Sequence, residues 1–133
     1  HADYLINYKS RPDWENLVLD FTDGQGADLT VETGGAGTLS KSMRATRTEG
    51  IIALMGALTG LKSELDLRLV LSRRLHIAGV FVDSRAAFEA MNRFIEDHDL
   101  KPVISQRFSF EQLPAALRTM EAGEHFGKIV VEM

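Results

Sequence analysis

The apolar residues of this 133-residue chain change period again and again, from short alternating or continuous runs to an i, i+3, i+4, i+7 spacing and back. A strand that feeds a helix and then another strand rejoins its sheet as a parallel crossover, so this rhythm predicts an α/β fold with a parallel sheet flanked by helices. Ala2 to Tyr8 reads as a short first strand. Pro12 then pre-sets a helical φ, and Trp14, Leu17, Val18 and Phe21 line one face of a helix that stops near Gly24. A second strand, Ala27 to Thr33, runs into Gly34-Gly35-Ala36-Gly37, and a helix follows over Thr38 to Thr46 with Leu39 and Met43 inward.

After a turn at Thr48-Glu49-Gly50, the nearly all-apolar run Gly50 to Met55 suits a strand covered on both faces. Ala57 to Leu65 reads as a loop, Asp66 to Leu75 as a short leucine-rich helix and His76 to Val82 as a fourth strand. Ser84 caps a longer helix that carries Ala87, Phe88, Met91, Phe94 and Ile95 on one face. Lys101-Pro102 ends that helix and marks a boundary between residues 1–100 and 101–133. Beyond it come a strand over Val103 to Phe110, a helix with Pro114 in its first turn and Gly123 as its stop, and a closing strand, Lys128 to Met133.

Composition narrows the function. Fifteen Lys and Arg against nineteen Asp and Glu leave a net charge of −4, unfavourable for gripping a phosphate backbone, so nucleic acid is not an expected partner. The absence of cysteine removes disulfides, thiolate nucleophiles and Cys-based zinc sites from this chain. No apolar run approaches the roughly 20 residues of a membrane-spanning helix, and no basic-then-apolar export signal opens the chain; a cytoplasmic protein without membrane contact is expected. The chain starts at His1, inside its expected first strand, which reads as a processing point or a cut.

A glycine-rich turn between strand and helix is where backbone N–H groups meet a phosphate, and Gly35-x-Gly37 stands at such a place. The fingerprint is incomplete: Ser40 stands where a third glycine belongs, and no acid ends the next strand. The segment therefore reads as a phosphate loop, as a tight crossover turn, or as a loop lying along a cofactor, with the turn favoured. Glu32 lies at the carboxyl end of its strand, where open α/β sheets bind ligands, and reads by default as a solvated or helix-capping side chain. Tyr8, at the same rim, is placed to stack on a base or donate to a phosphate, or simply to pack. His1, His76, His98 and His125 show no metal-ligand spacing, Ser84 stands in no nucleophile elbow, and Arg68, Arg73 and Arg74 read as a solvated basic cluster.

In order, A-D-Y-L-I-N-Y, A-D-L-T-V-E-T-G-G-A-G-T-L, G-I-I-A-L-M-G, H-I-A-G-V-F-V-D-S-R-A-A-F-E-A-M-N and H-F-G-K-I-V-V resemble consecutive landmarks of the medium-chain dehydrogenase/reductases. The likeness is in particular to the zinc-type alcohol dehydrogenase-like and NADPH:quinone oxidoreductase-like members, and it extends over essentially the whole chain. The resemblance implies the carboxyl-terminal portion of such a protein. Residues 1–100 would be a partial Rossmann domain holding strands three to six of its parallel sheet, and residues 101–133 a strand–helix–strand tail that returns to the catalytic lobe. Members of the family are more than twice as long, and the zinc ligands, the dinucleotide fingerprint and the residue choosing NAD or NADP lie in their other part.

The same resemblance implies an NAD(P)(H)-dependent oxidoreductase that transfers hydride to or from a small carbonyl, alcohol or enone. The cofactor would be NADP or NAD, with NADP slightly favoured, and no catalytic residue and no zinc ligand falls on this chain. Gly34 and Gly35 would border the cofactor's ribose, and Tyr8 would lie by the adenosine phosphate. Met55, Gly56 and Ala57, with Val80, Phe81 and Val82, would turn their backbone to the nicotinamide carboxamide, and Gly56 would permit close approach. Lys128, or Gly127 in its slot, would stand near a phosphate contact. The strand His76 to Val82 would pair with its twin in a homodimer. Taken alone, the chain is expected to be inactive; the alternative is a non-catalytic dimerisation or interaction module using that same edge strand. In a 3-2-1-4-5-6 sheet, strands one and two stand between the third and the fourth, so Ala2 to Tyr8 would lack its neighbour. Rearrangement, assembly with another chain or a longer parent protein would each resolve this.

Overall fold

The computed structural model describes residues 2–133, and His1 lies outside them. The chain forms two compact units, one ending at Val82 and one spanning Asp83–Met133. The first contains α1 (Trp14–Phe21), β1 (Ala27–Glu32), α2 (Leu39–Ala45), β2 (Thr46–Leu54), α3 (Leu67–Arg73) and β3 (His76–Gly79). The second contains α4 (Arg85–Asp97), β4 (Ile104–Ser109), a single 3₁₀ turn at Phe110–Gln112, α5 (Leu113–Ala122) and β5 (Lys128–Glu132). The units thus divide before α4, whereas the composition shift at Lys101-Pro102 follows it.

In the first unit, β1, β2 and β3 lie side by side in that order, and both ladders are parallel. Register puts Glu32 opposite Leu54 and Leu54 opposite Gly79, so the three strands end level at their carboxyl edge. The helical crossovers are built as their sequence directs. Leu39 and Met43 on α2 and Ile52 on β2 are buried with Leu75, and Leu65, Leu69 and Val70 pack against them. Each such side chain removed from water contributes about 1.5–3 kcal/mol. The Asp66 carboxylate caps α3 by accepting from the Arg68 N–H at 3.0 Å. Helix α1 is fastened to α2 through buried Glu15, whose carboxylate lies 3.3 Å from Arg44 and 3.9 Å from Lys41.

Three expectations need correction. The strand expected over His76 to Val82 ends at Gly79, opposite the last residue of β2, so residues 80–82 have no ladder to join. Ala2 to Tyr8 is not a strand: the segment joins no ladder, and β1 stands at the edge of the sheet. A parallel strand is held by its ladder, and among the described residues no strand is hydrogen-bonded to this segment. Local contacts hold it, with Tyr4 stacked on Phe21 at 3.9 Å and the Asn7 carbonyl accepting from the Ser10 and Arg11 N–H groups. The turn expected at Thr48-Glu49-Gly50 is an irregularity inside β2, which begins at Thr46. Ala27 pairs with Thr46 but Leu29 with Ile51, and the residues looped out include Glu49 at φ 60°.

In the second unit β4 and β5 pair in parallel, with α5 as their crossover. Ser84 caps α4 by accepting from Ala87, and Gly123 ends α5 in the left-handed region at φ 66°, both as the sequence indicates.

Candidate functional site

The loops that leave β1 and β2 at the level carboxyl edge are locked together. The Glu32 carbonyl accepts from Met55 at 2.9 Å and Gly56 at 3.3 Å, and the Thr33 carbonyl accepts from Leu58 at 3.3 Å. Thr59 completes the junction: its hydroxyl accepts from the Gly37 N–H at 2.7 Å and donates to the Gly34 carbonyl at 2.8 Å. A Cβ on Gly35 would sit 2.7 Å from Ala57 Cα, and one on Gly56 would sit 2.9 Å from Thr33 Cα. These two positions therefore need glycine for the meeting of the loops, and the space beside Gly56 is filled by Thr33.

Beneath the glycine turn lies Glu32, only 3% exposed. Its Oε1 accepts from Gly34 N–H at 2.7 Å, Gly35 N–H at 2.9 Å and the Thr38 hydroxyl at 2.6 Å, while Oε2 accepts from the Ser42 hydroxyl. Burial by itself would push this carboxyl up; the donors Ser42, Thr38, Gly35 and Gly34 outweigh it and hold it below the usual carboxylate range. Glu32 is thus a buried acceptor for the turn, and the solvated alternative is overturned. The signal for it was local: an acid at a strand end followed by two glycines, then Thr38 and Ser42 on the helix that folds back over it.

The consequence for ligand chemistry is specific. Ala36 N–H donates to Gly60, Gly37 N–H to Thr59, and Thr38 and Leu39 N–H both to the Gly35 carbonyl. With Gly34 and Gly35 committed to Glu32, each N–H from Gly34 to Leu39 is engaged within the protein, so this turn is not a phosphate cradle. By contrast, the N–H groups of Ala57 and Phe81 meet no acceptor among the described residues.

Outside the interlocked loops, a cleft of about 470 Å³ opens at the carboxyl edge. It brings together six of the expected cofactor residues: Gly35, Met55, Gly56, Ala57, Val80 and Phe81. Gly34 and Tyr8 line a separate hollow of about 440 Å³ with Thr30, Glu32 and Ser42, so the glycine turn stands between the two cavities. Val82 is 84% exposed and lines neither. Lys128 belongs to the other compact unit, where its N–H donates to the Val103 carbonyl at 2.8 Å.

The basic cluster also divides. Arg68 pairs with Asp66 and Arg74 with Glu49 at the surface, but Arg73 is partly buried and donates to the carbonyls of Arg44 at 2.7 Å and Thr46 at 2.8 Å. Among the described residues there is no group of three His, Cys, Asp or Glu side chains placed to hold a metal, and no helix long and apolar enough to cross a membrane.

Comparison with known proteins follows the same outline. The profile of the zinc-binding dehydrogenase family matches residues 1–131. A zinc-type alcohol dehydrogenase-like protein of Schizosaccharomyces pombe is 34% identical over 99% of this chain and 39% of its own length. An L-threonine 3-dehydrogenase of Symbiobacterium thermophilum is 32% identical over 98% of this chain and 38% of its own. The crystal structure of an NAD-dependent alcohol dehydrogenase superposes with a TM-score of 0.85 at 35% identity, covering 99% of this chain and 38% of that one. A mycobacterial quinone oxidoreductase shares the fold, with a TM-score of 0.67 at 19% identity over 96% of this chain and 41% of its own. The chain thus spans about two fifths of the length of these relatives.

Proposed function

The chain belongs to the zinc-binding dehydrogenase family, and on that premise we propose that it forms one wall of a nicotinamide-dinucleotide site. The protein that contains it would transfer hydride to or from a small carbonyl, alcohol or enone. The observation that carries this reading is the cleft at the carboxyl edge of the parallel sheet. It is lined by Gly35, Met55, Gly56, Ala57, Val80 and Phe81, at the place where open α/β sheets receive ligands.

The residues present fit part of such a cofactor. The cleft wall is largely apolar, suited to a flat ring from which water is excluded, and the free N–H groups of Ala57 and Phe81 are donors for a carboxamide oxygen. From the family likeness Gly34 and Gly35 are read as bordering the ribose, with Gly35 the one of the two that lines the cleft. The pyrophosphate does not fit here, because the N–H groups of the glycine turn are engaged internally. Tyr8, more than half exposed, is read from the family likeness as lying by the adenosine phosphate, and Lys128, or Gly127 in its slot, as standing near a family phosphate position. The bound cofactor supplies the hydride or takes it up; this chain orients the ring and shields it from water. Residues 1–100 are assigned to the nucleotide-binding portion and 101–133 to the tail that joins the catalytic lobe.

Titrating the whole protein with NADH and with NADPH, and following nicotinamide absorbance with candidate carbonyls and enones, tests the reading and the choice of cofactor. Saturable binding with turnover is expected. The 133-residue polypeptide alone is expected to show no turnover and weak binding, and a low-micromolar dissociation constant for NADPH on it would overturn the division of labour proposed here.

The edge position of β3 favours a second reading. All four of its residues are exposed and only one side of the strand is paired among the described residues, so β3, the strand part of the expected His76 to Val82 edge, is available to join a twin across a homodimer. Sedimentation of the whole protein tests this, and a strict monomer at high concentration would overturn it.

A further inference from the structure

Glu32 is a buried carboxylate that meets no cation: its partners are two backbone N–H groups and two hydroxyls, and it forms no salt bridge among the described residues. Burying a charge on neutral donors alone is costly unless every one of them is well placed, and an apolar side chain would fill the same space without that cost. What the carboxylate adds is acceptor capacity at a single point. One oxygen gathers three donors from the two ends of the turn, Gly34 and Gly35 at its start and Thr38 at its close, and the other ties in α2 through Ser42.

We infer that Glu32 is a positioning residue for the dinucleotide cleft, fixing the loop of residues 33–38 that forms one of its walls; this rests on the cleft reading above. The structural chain is continuous. Glu32 holds the Gly34 and Gly35 N–H groups, and Gly35 sits at φ 82° with its carbonyl accepting from Thr38 and Leu39. Gly35 in turn packs so closely on Ala57 and Gly60 that a Cβ would lie within 2.8 Å of the Gly60 carbonyl oxygen. Ala57 and Gly60 line the cleft beside it. A carboxylate outside the cleft therefore sets the position of both loops that shape it, as outer partners orient the groups that touch a ligand.

The test uses the whole protein and its affinity for NADH and NADPH, with amide hydrogen exchange at Gly34 and Gly35 as the second measurement. Glu32→Leu removes all four acceptor contacts and is expected to raise the dissociation constant about tenfold or more while speeding exchange at both glycines. Glu32→Gln is the conservative rescue. Its carbonyl oxygen keeps the three Oε1 donors and its amide faces a Ser42 hydroxyl free to turn to the Thr38 carbonyl, so affinity within about threefold of wild type is expected. Should Glu32→Leu fail to fold, Thr38→Val, which removes one donor and leaves the carboxylate, is expected to weaken binding about threefold. A folded Glu32→Leu with wild-type affinity, a Thr38→Val with wild-type affinity, or a Glu32→Gln as weak as the leucine variant, would each overturn the role. If the wild-type protein binds neither dinucleotide, the cleft reading falls and the role falls with it, which exchange at Gly34 and Gly35 distinguishes from a failed clamp.

Discussion

Thr59 sits over the carbonyl of Gly34 and donates to it twice, from its backbone N–H and from its hydroxyl, each at 2.8 Å. The same hydroxyl accepts from Gly37, so one side chain holds the glycine turn from the side opposite Glu32. The turn is therefore clamped between two non-adjacent residues, one at the end of β1 and one beyond β2.

Thr59→Val keeps the shape of that clamp and removes its hydrogen bonds. The backbone donor to Gly34 survives, while the Gly37 N–H loses its acceptor. Because these groups lie at the surface and regain water, the expected loss is about 1 kcal/mol. Urea unfolding of Thr59→Val beside Thr59→Ser checks this, with the serine variant expected close to wild type.

Gly56 and Gly79 look alike in sequence, each near the end of an apolar strand, but their surroundings differ. A Cβ at Gly56 runs into the Thr33 backbone, whereas one at Gly79 meets nothing within 4 Å. Gly56→Ala must displace a loop and is expected to cost about 1–3 kcal/mol, as overpacking does. Gly79→Ala is expected to stay within about 1 kcal/mol of wild type, or to stabilise slightly by restricting the unfolded chain. Thermal unfolding of the pair separates a steric demand for glycine from a merely tolerated one.

Glu32 predicts a pH dependence with a definite sign. Its carboxyl is held below the usual range in the folded protein, so the unfolded chain binds the proton more readily. Its contribution is fully present above the unfolded carboxylate value and is lost as pH falls through the lower folded value. Stability of the wild type should therefore rise with pH across that window, and Glu32→Gln should flatten this part of the curve. Denaturant midpoints measured from acid to neutral pH for both proteins test it; parallel curves would contradict the assignment.

What was legible from sequence follows the range of the interactions. The strand at Ala27, the inward Leu39 and Met43, the Ser84 cap and the Gly123 stop are where their patterns put them, whereas β2 begins four residues before the Gly50 that its apolar run suggests, because Thr46 pairs with Ala27 across the sheet. Ala2 to Tyr8 carries strand-like residues, but alternation reports fitness for a sheet and not whether a partner strand is present. The closeness of Gly56 to Thr33 joins two loops across the sheet edge, and no local pattern encodes it. The cleft residues were gathered by family likeness rather than by spacing, since Gly35, Met55 and Val80 converge only when three parallel strands end level.

Arg73 is the clearest case of a tertiary role hidden in a bland pattern. Its guanidinium donates to the carbonyls of Arg44 and Thr46, where α2 ends and β2 begins. Carbonyls at a helix end have no intrahelical partner, and a cation there is further favoured by the helix dipole. Arg73→Met keeps the apolar stem but strips both bonds, and because the site is partly buried the expected cost is about 1–3 kcal/mol. Arg73→Lys keeps a cation but on a shorter side chain than the one that sets a single terminal nitrogen on both carbonyls, so it should fall between wild type and Arg73→Met. The neighbouring Arg74→Ala, which removes an exposed pair with Glu49, should change stability by less than about 1 kcal/mol. Equal losses from Arg73→Met and Arg74→Ala would return both residues to the solvated cluster that their sequence suggests.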